Sequence, residues 1–482
     1  MQRFLPILIV LVAAPCGAGP WLPPGDARLR HDLQLLADAG IVRAPLTAWP
    51  VSWGEVARDV RRAADESLPP YVAAALQRVR AEAETATRVG ELRTEWRLSA
   101  AENPVALRRF GDTARDEGEA SGALQFTGER LAIRLQGTAV ADASDGKDLR
   151  ADGSYAGVVL GNWMLSAGYL ERWWGPGWEG SLILGTSARP LPSLTIERNY
   201  SDAFEHPWLA WIGRWRFVAT MGQFEGSRDD APDARFFGMR ATWKPHALFE
   251  LGLSRSAQWC GEGRPCDFDT FLDLLGGNDN DQDPSQQPGN QMAGVDLRWA
   301  LPWAPLAVYL QAIGEDEANS LPSKYLGLAG VEAWGGLGDR SWRAHLEFSD
   351  TACAFYENPA QFGCAYRNAT YSDGYQYRGR SVGHAIDGDS RQWAAGFLLV
   401  DPGGASWELA LQDVDVNRES ANPVHSISPV AAAIRSADLY HRRAFLGGEL
   451  ALGIGYEDRN ADMTGTDSSE LRGFAQWSAA FE

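Results

Sequence analysis

Two periods of hydrophobic recurrence divide the chain. Between residues 20 and 90 apolar side chains return every three to four positions, the spacing that places them on one face of a helix. Asp26 can cap a first helix carrying Leu29, Leu33 and Leu36, and Gly40 stands where it would end. A second is expected from Ser52, with Glu55 three residues on completing a capping box, and continues through Val56 and Val60. Pro69 and Pro70 stop it and open a third with Val72, Leu76 and Val79, running to Val89 before Gly90. From Glu91 the period becomes two. Leu92, Thr94, Trp96 and Leu98 alternate with Arg93, Glu95 and Arg97; Leu131, Ile133 and Leu135 alternate with Arg130, Arg134 and Gln136. Val295 to Trp299, Trp342 to Phe348, Trp407 to Leu411 and Leu450 to Tyr456 repeat the pattern, which persists to Leu471, Gly473, Ala475, Trp477, Ala479 and Phe481.

Alternation alone does not separate a lipid-facing strand from a core-facing one, since a soluble sandwich gives the same pattern. Two features favour the membrane: the apolar faces repeatedly begin or end in Trp, Tyr or Phe, as girdles do, and the chain closes on an alternating strand with a penultimate aromatic residue. At roughly 22 residues per strand and its share of loops, the part from residue 91 onward makes about 16 to 18 strands, a barrel wide enough for water unless something fills it. The expected fold is therefore mainly β, a large transmembrane antiparallel barrel preceded by a small helical bundle.

The N-terminus carries Arg3, an apolar run from Phe4 to Ala14, then Cys16, Gly17 and Ala18. That run is shorter than the ~20 residues a spanning helix needs and reads as a secretory signal peptide over residues 1–18. Lipidation of Cys16 is set aside because Pro15 stands where a small residue should precede a lipidated cysteine. The expected divisions are then 1–18 signal peptide, 19–90 helical domain and 91–482 barrel.

Net charge is -19, from 44 basic and 63 acidic residues, which excludes a partner held through a phosphate backbone such as nucleic acid. Export to an oxidising compartment makes two local disulfides the simplest use of Cys260 with Cys266 and Cys353 with Cys364, whereas a metal site lacks nearby histidines and the usual cysteine spacing. Asp279, Asp281 and Asp283 have the alternate spacing of a calcium loop, but Pro284 and Asn290 occupy positions that need glycine and glutamate, so a solvated loop is expected. Glu315, Asp316 and Glu317 read as a wet ring of like charge. No metal or cofactor is expected. The seven histidines are scattered, and no Gly-x-Ser-x-Gly, His-Glu-x-x-His or cysteine nucleophile pattern is present, so the chain is expected not to be an enzyme. Arg130, Arg134, Arg240 and Arg298 lie on polar strand faces, where they either pair with carboxylates or attract an acidic glycan.

The run Trp173-Trp174-Gly175-Pro176-Gly177-Trp178-Glu179-Gly180-Ser181-Leu182-Ile183 resembles the signature of the Wzi family of capsule assembly proteins. Further matches follow in order: Gln258 to Pro265, Gly289 to Asp296, Gly314 to Glu317 and Asp373-Gly374-Tyr375, with Arg30, Asp32-Leu33 and Thr47-Ala48-Trp49-Pro50 before them. The resemblance spans essentially the whole mature chain. It implies a barrel of about 18 strands with its helical bundle at the periplasmic end, in the outer membrane of a Gram-negative bacterium. It also implies a lectin that holds capsular or related exopolysaccharide at the cell surface. A monomer surrounded by outer-membrane lipid is expected.

Candidate carbohydrate contacts are Trp173, Trp174, Trp178 and Glu179, then Trp259, Glu262, Arg264 and Tyr375. Indole faces stack on the apolar face of a pyranose, while Glu179 with Arg172 or Arg189 offers hydrogen bonds. Glycines and a proline among three tryptophans equally describe a tightly packed turn inside a barrel. Two other function classes stay open: a porin or polysaccharide-export channel, which needs an open lumen, and a barrel hydrolase, whose site would be recognised by geometry rather than spacing.

Overall fold

The computed structural model describes residues 21–64, 67–276, 289–318, 321–461 and 466–481. The expected signal peptide with Cys16 and the Asp279, Asp281, Asp283 loop lie outside them, as do the side chains of Asp316 and Glu317. Among the described residues, the chain forms one closed antiparallel barrel of eighteen staves, counting Leu149–Arg150 and Tyr155–Leu160 as a single interrupted stave because both pair with Leu131–Ala141. Thr466–Phe481 returns to pair with Leu92–Glu102, from Phe481 opposite Thr94 to Gly473 opposite Glu102, so no sheet edge is left open.

The wall answers the question the period left open. Leu135, Ile454 and Leu471 on its outer face are 62%, 63% and 69% exposed, while the inward Arg240, Glu332 and Arg343 are each 1% exposed. Apolar outside and charged inside is the inverse of a soluble core, and it is the arrangement of a barrel solvated by lipid. No described helix is long and apolar enough to cross a membrane.

Three helices enter one end of the barrel: α1 (Ala27–Asp38), α2 (Trp53–Arg61) and α3 (Pro70–Ala86). Asp26 caps α1, its carboxylate accepting from the Leu29 N–H at 3.0 Å. Gly40 closes the helix in the left-handed region at φ +76°, with Ile41 N–H reaching back to the Leu36 carbonyl. Pro70 occupies the first turn of α3, which ends at Ala86 rather than Val89. The expected capping box at α2 does not form. Ser52 donates instead to Asn199 at 2.6 Å, and Glu55 accepts from Ser201, because both side chains pin the 199–201 connection to the helix start.

The helices share one core with the barrel interior: Leu33, Leu36, Val56, Val60, Leu76 and Val79 pack with Phe110 and Trp173 from distant loops and Trp334 from the wall. From the opposite end, the connections 103–117, 169–192 and 351–390 fold inward. The loop 169–192 descends until Trp173–Trp174 pairs as a short antiparallel ladder with Ala48–Trp49, and Gly175 N–H reaches the Thr47 carbonyl at 2.9 Å. The plugs from the two ends meet inside the barrel.

Candidate functional site

The glycine–tryptophan run is bound by inward-facing wall residues. Trp178 donates its indole N–H to Glu332 at 2.8 Å and its backbone N–H to Glu347 at 2.8 Å, and Gly180 N–H reaches the other Glu347 oxygen at 2.9 Å. The Trp178 ring lies 4.1 Å from the Arg30 guanidinium and stacks on His345 at 5.6 Å between centroids. Arg30 also donates to the carbonyls of Pro176 and Gly177. Glu179 accepts from Gln412 at 3.1 Å and lies 2.8 Å from the His345 Nε2. Two glycines are there for space: a Cβ at Gly180 would overlap the His384 imidazole, and Gly175, at φ +156°, would press on the Gln311 amide.

Trp173, Trp174, Trp178 and Glu179 are all buried. Protein already covers the ring faces a sugar would need on Trp178, which is the packed-turn arrangement. Tyr375 is likewise buried, its hydroxyl donating to the Ile183 carbonyl at 3.0 Å. Trp259 is buried against Phe271, on the helix α4 (Phe268–Gly276). Of the candidates drawn from sequence, only Glu262, exposed, and Arg264, half-buried, reach the surface of the loop end.

Both disulfides are formed, Cys260 with Cys266 and Cys353 with Cys364. The Cys260–Cys266 loop is held by the segment that follows the second disulfide, since the Tyr371 hydroxyl donates to the Cys260 carbonyl at 3.0 Å. Beside each disulfide an aromatic side chain faces outward. Tyr356, within the Cys353–Cys364 loop, is 60% exposed, and Phe268, just beyond Cys266, is 71% exposed. Sequence reasoning passed over both because neither sits in a motif; the available signal was an aromatic residue among polar ones beside a cysteine.

The lumenal arginines are paired. Arg240 holds Asp296 through two contacts at 2.5 and 2.8 Å, Arg298 binds Asp38 and Glu332, and Arg134 binds Glu95 at 2.8 Å. Arg130 departs from the expectation: it lies in the turn between Thr127 and Leu131 and is exposed, because the strand starts one residue later than the alternation suggests.

Among the described residues, three buried serine–histidine pairs occur: Ser341–His31, Ser349–His384 and Ser390–His425, at 2.9, 3.1 and 3.1 Å through Nε2. In each, the Nδ1 atom accepts a hydrogen bond, from Arg343 Nε, Ile386 N–H and Ile427 N–H respectively. The single proton of a neutral ring then sits on Nε2, which donates to the serine and leaves no lone pair to take the hydroxyl proton. Burial keeps these rings neutral, pushing His384 down to about 4 and lowering His31 and His425. Among the described residues, no group of three or more His, Cys, Asp or Glu is placed to hold a metal ion.

The model of the capsule assembly protein Wzi family matches residues 90–466. The chain belongs to this family. It is 33% identical over 422 residues to an uncharacterized 55.8 kDa protein in the cps region of Klebsiella pneumoniae, covering 86% of this chain and 80% of that one. The solved structure of Wzi from Escherichia coli, an outer-membrane protein of group 1 capsule assembly described as a carbohydrate-binding β-barrel, superposes with a TM-score of 0.84 at 29% identity, covering 96% of this chain and 100% of that one. The eighteen-stave barrel is thus the family's fold.

Proposed function

We propose that this member of the family is a non-enzymatic lectin of the outer membrane of a Gram-negative bacterium, which binds capsular or related exopolysaccharide at its loop end and so supports capsule assembly. The observation that carries this reading is that the lumen is filled from both ends by α1 to α3 and by inward-folded loops, where a porin or export channel would need an open bore. A hydrolase is disfavoured by the donor role of Nε2 in all three serine–histidine pairs. On this reading residues 1–18 are a cleaved signal peptide, 19–90 a periplasmic helical unit and 91–482 the barrel, which works as a monomer in lipid. Connections of two residues at the helical end, after Leu160, His246, Leu337 and Phe445, support placing that end in the periplasm, since outer-membrane barrels keep short turns there and long loops outside.

The glycan contact is assigned to the disulfide-closed loops, with Tyr356 and Phe268 as stacking faces and Glu262 and Arg264 as polar partners. Trp173, Trp174, Trp178, Glu179, Trp259 and Tyr375 act behind it by holding the plug. Replacing Tyr356 by Ala should weaken binding of the source strain's surface polysaccharide about tenfold, the equivalent of roughly 1.4 kcal/mol and within reach of one aromatic contact, with the heat-dependent gel shift of a folded barrel unchanged. Undiminished binding by the Tyr356→Ala, Phe268→Ala double variant would reject this surface.

A further inference from the structure

Among the described residues, one sector of the barrel interior holds open space. Along Leu92–Glu102, Gly118–Thr127 and Leu131–Ala141 the inward-facing side chains border two cavities of about 640 and 300 Å3, sizes in the usual range for small-molecule sites. The cavities share walls, among them Glu95, Arg97, Asp112, Ser121, Arg134 and Gln136, and so form one continuous slot between the wall and the helical plug. The larger part reaches Glu82 and Glu449 at the helical end; the other reaches Asp152 and Glu171 in the loop half. From the level of Arg93 to that of Ser99, which pairs with the slot residue Glu119, the slot runs six residues, about 20 Å at some 3.3 Å per residue.

Its lining has a definite chemistry. Arg93, Glu95, Arg97 and Arg134 retain 29%, 30%, 48% and 18% side-chain exposure although they point into the lumen. Each exposed guanidinium has a carboxylate beside it, Arg97 with Asp112 at 2.7 Å and Arg134 with Glu95 at 2.8 Å, and Gln136, which accepts from Arg134, and Ser121 line the same space. Donors and acceptors therefore alternate along the wall. An anion alone would call for donors only, whereas hydroxyl groups, which donate and accept at once, match an alternating wall. The facing side is supplied by the exposed Pro23 of the helical plug, with Pro24 and the buried Trp21 and Trp53 behind it, an apolar floor opposite planar polar groups. A polar rim facing an apolar floor is the composition that takes a polyhydroxylated ring.

We propose that this slot is a second carbohydrate site, separate from the loop surface, which takes a short polyhydroxylated segment of a glycan chain. It rests on the reading of the protein as a glycan-binding barrel. The test is thiol accessibility in the full-length protein in detergent micelles. A single cysteine is introduced by Ser121→Cys, with Gln136→Cys as the alternative should the first not assemble, and labelling by a small methanethiosulfonate is timed with and without oligosaccharides released by partial hydrolysis of the source strain's surface polysaccharide. Calorimetry on the same samples reports whether the oligosaccharides bind anywhere. The expected result is ready labelling that slows tenfold or more at saturating oligosaccharide, and equally so in the Tyr356→Ala background. Labelling that is unaffected while calorimetry records binding overturns the slot and leaves the lectin reading standing. A cysteine that does not label at all in the folded protein also overturns it, because the slot is then closed. Absence of any binding by oligosaccharide or intact polysaccharide removes the lectin reading and this proposal with it.

Discussion

Two sectors of the same lumen, built from the same residue types, reach opposite states. On the wall from Gly289 to Asp350, Arg298, Glu332 and Arg343 keep 7%, 1% and 1% side-chain exposure, and the carboxylate of Glu332 serves both guanidiniums and the Trp178 indole. On the wall from Leu92 to Ala141, Arg97 keeps 48% and meets Asp112 through one contact. The difference is not in the strands, which alternate polar-in and apolar-out in both places. It lies in what is opposite: Arg30 of α1 and the loop 169–192 press onto the first wall, and the second faces the slot. In a barrel the strand period sets in against out; the plug sets wet against dry, and with it the energetic weight of every ion pair.

That contrast is broken most directly at Glu332. Glu332→Ala removes the carboxylate shared by two buried arginines and leaves them Asp38 alone, and removing one partner of a buried pair costs about 3 to 5 kcal/mol. The variant should fail to give the heat-dependent gel shift of a folded barrel; normal assembly would show the dry wall to be far more hydrated than its burial indicates. Next comes Trp178→Ala, expected to lower the unfolding free energy by about 3 to 5 kcal/mol for a buried aromatic side chain, read from a urea midpoint. Loss of polysaccharide binding at full stability would instead return Trp178 to the glycan surface. Arg97→Ala deletes the same chemical pair on the wet side. It should cost less than about 1 kcal/mol, as exposed ion pairs do, and Asp112 keeps Arg108 at 3.0 Å. A cost near that of Glu332→Ala would mean the two sectors do not differ.

The sequence made the barrel legible because period two is a local property: Leu92 to Leu98 or Leu471 to Phe481 declare their faces without reference to the rest of the chain. Lipid against core was not local, and only the exposure of residues such as Leu135 separated them. The same distinction explains the misread α2 start. Ser52 and Glu55 have the spacing of a capping box, yet their partners Asn199 and Ser201 lie more than 140 residues away, where no pattern points. The tryptophan motif, buried in the fold, left its role open for a related reason. An indole stacks as well on Arg30 or His345 as on a pyranose, so composition named the chemistry and left the occupant to the fold. Tyr356 carried no motif, and its standing came only from the loop that lifts it clear.

A pH slope at the open end of the slot sharpens the contrast further. Burial beneath the barrel mouth, with the like charges of Asp26, Asp32 and Glu449 adding to it and Arg28 opposing, pushes Glu82 up to about 7 from 4.5. A carboxyl whose folded pKa lies above its unfolded one binds a proton on folding, so its contribution to stability is full below pH 4.5 and is lost as pH rises through 7. Asp112 works the other way and in another window. Despite burial, Arg97, Arg108 and Arg115 bring it down to about 2, so its contribution is present above 3.8 and lost only towards pH 2. His384, lowered to about 4, makes stability rise between pH 4 and 6.5, against the Glu82 trend, which is why the parent curve alone is not diagnostic. The measurement is therefore a difference between parent and Glu82→Gln in urea midpoint from pH 4.5 to 7.5. The amide keeps the shape and cannot ionise, so Glu82→Gln should match the parent at pH 4.5 and become progressively the more stable of the two towards pH 7.5. A difference that stays constant across the range would place Glu82 in ordinary solvent and narrow the sheltered part of the slot to the walls around Arg97.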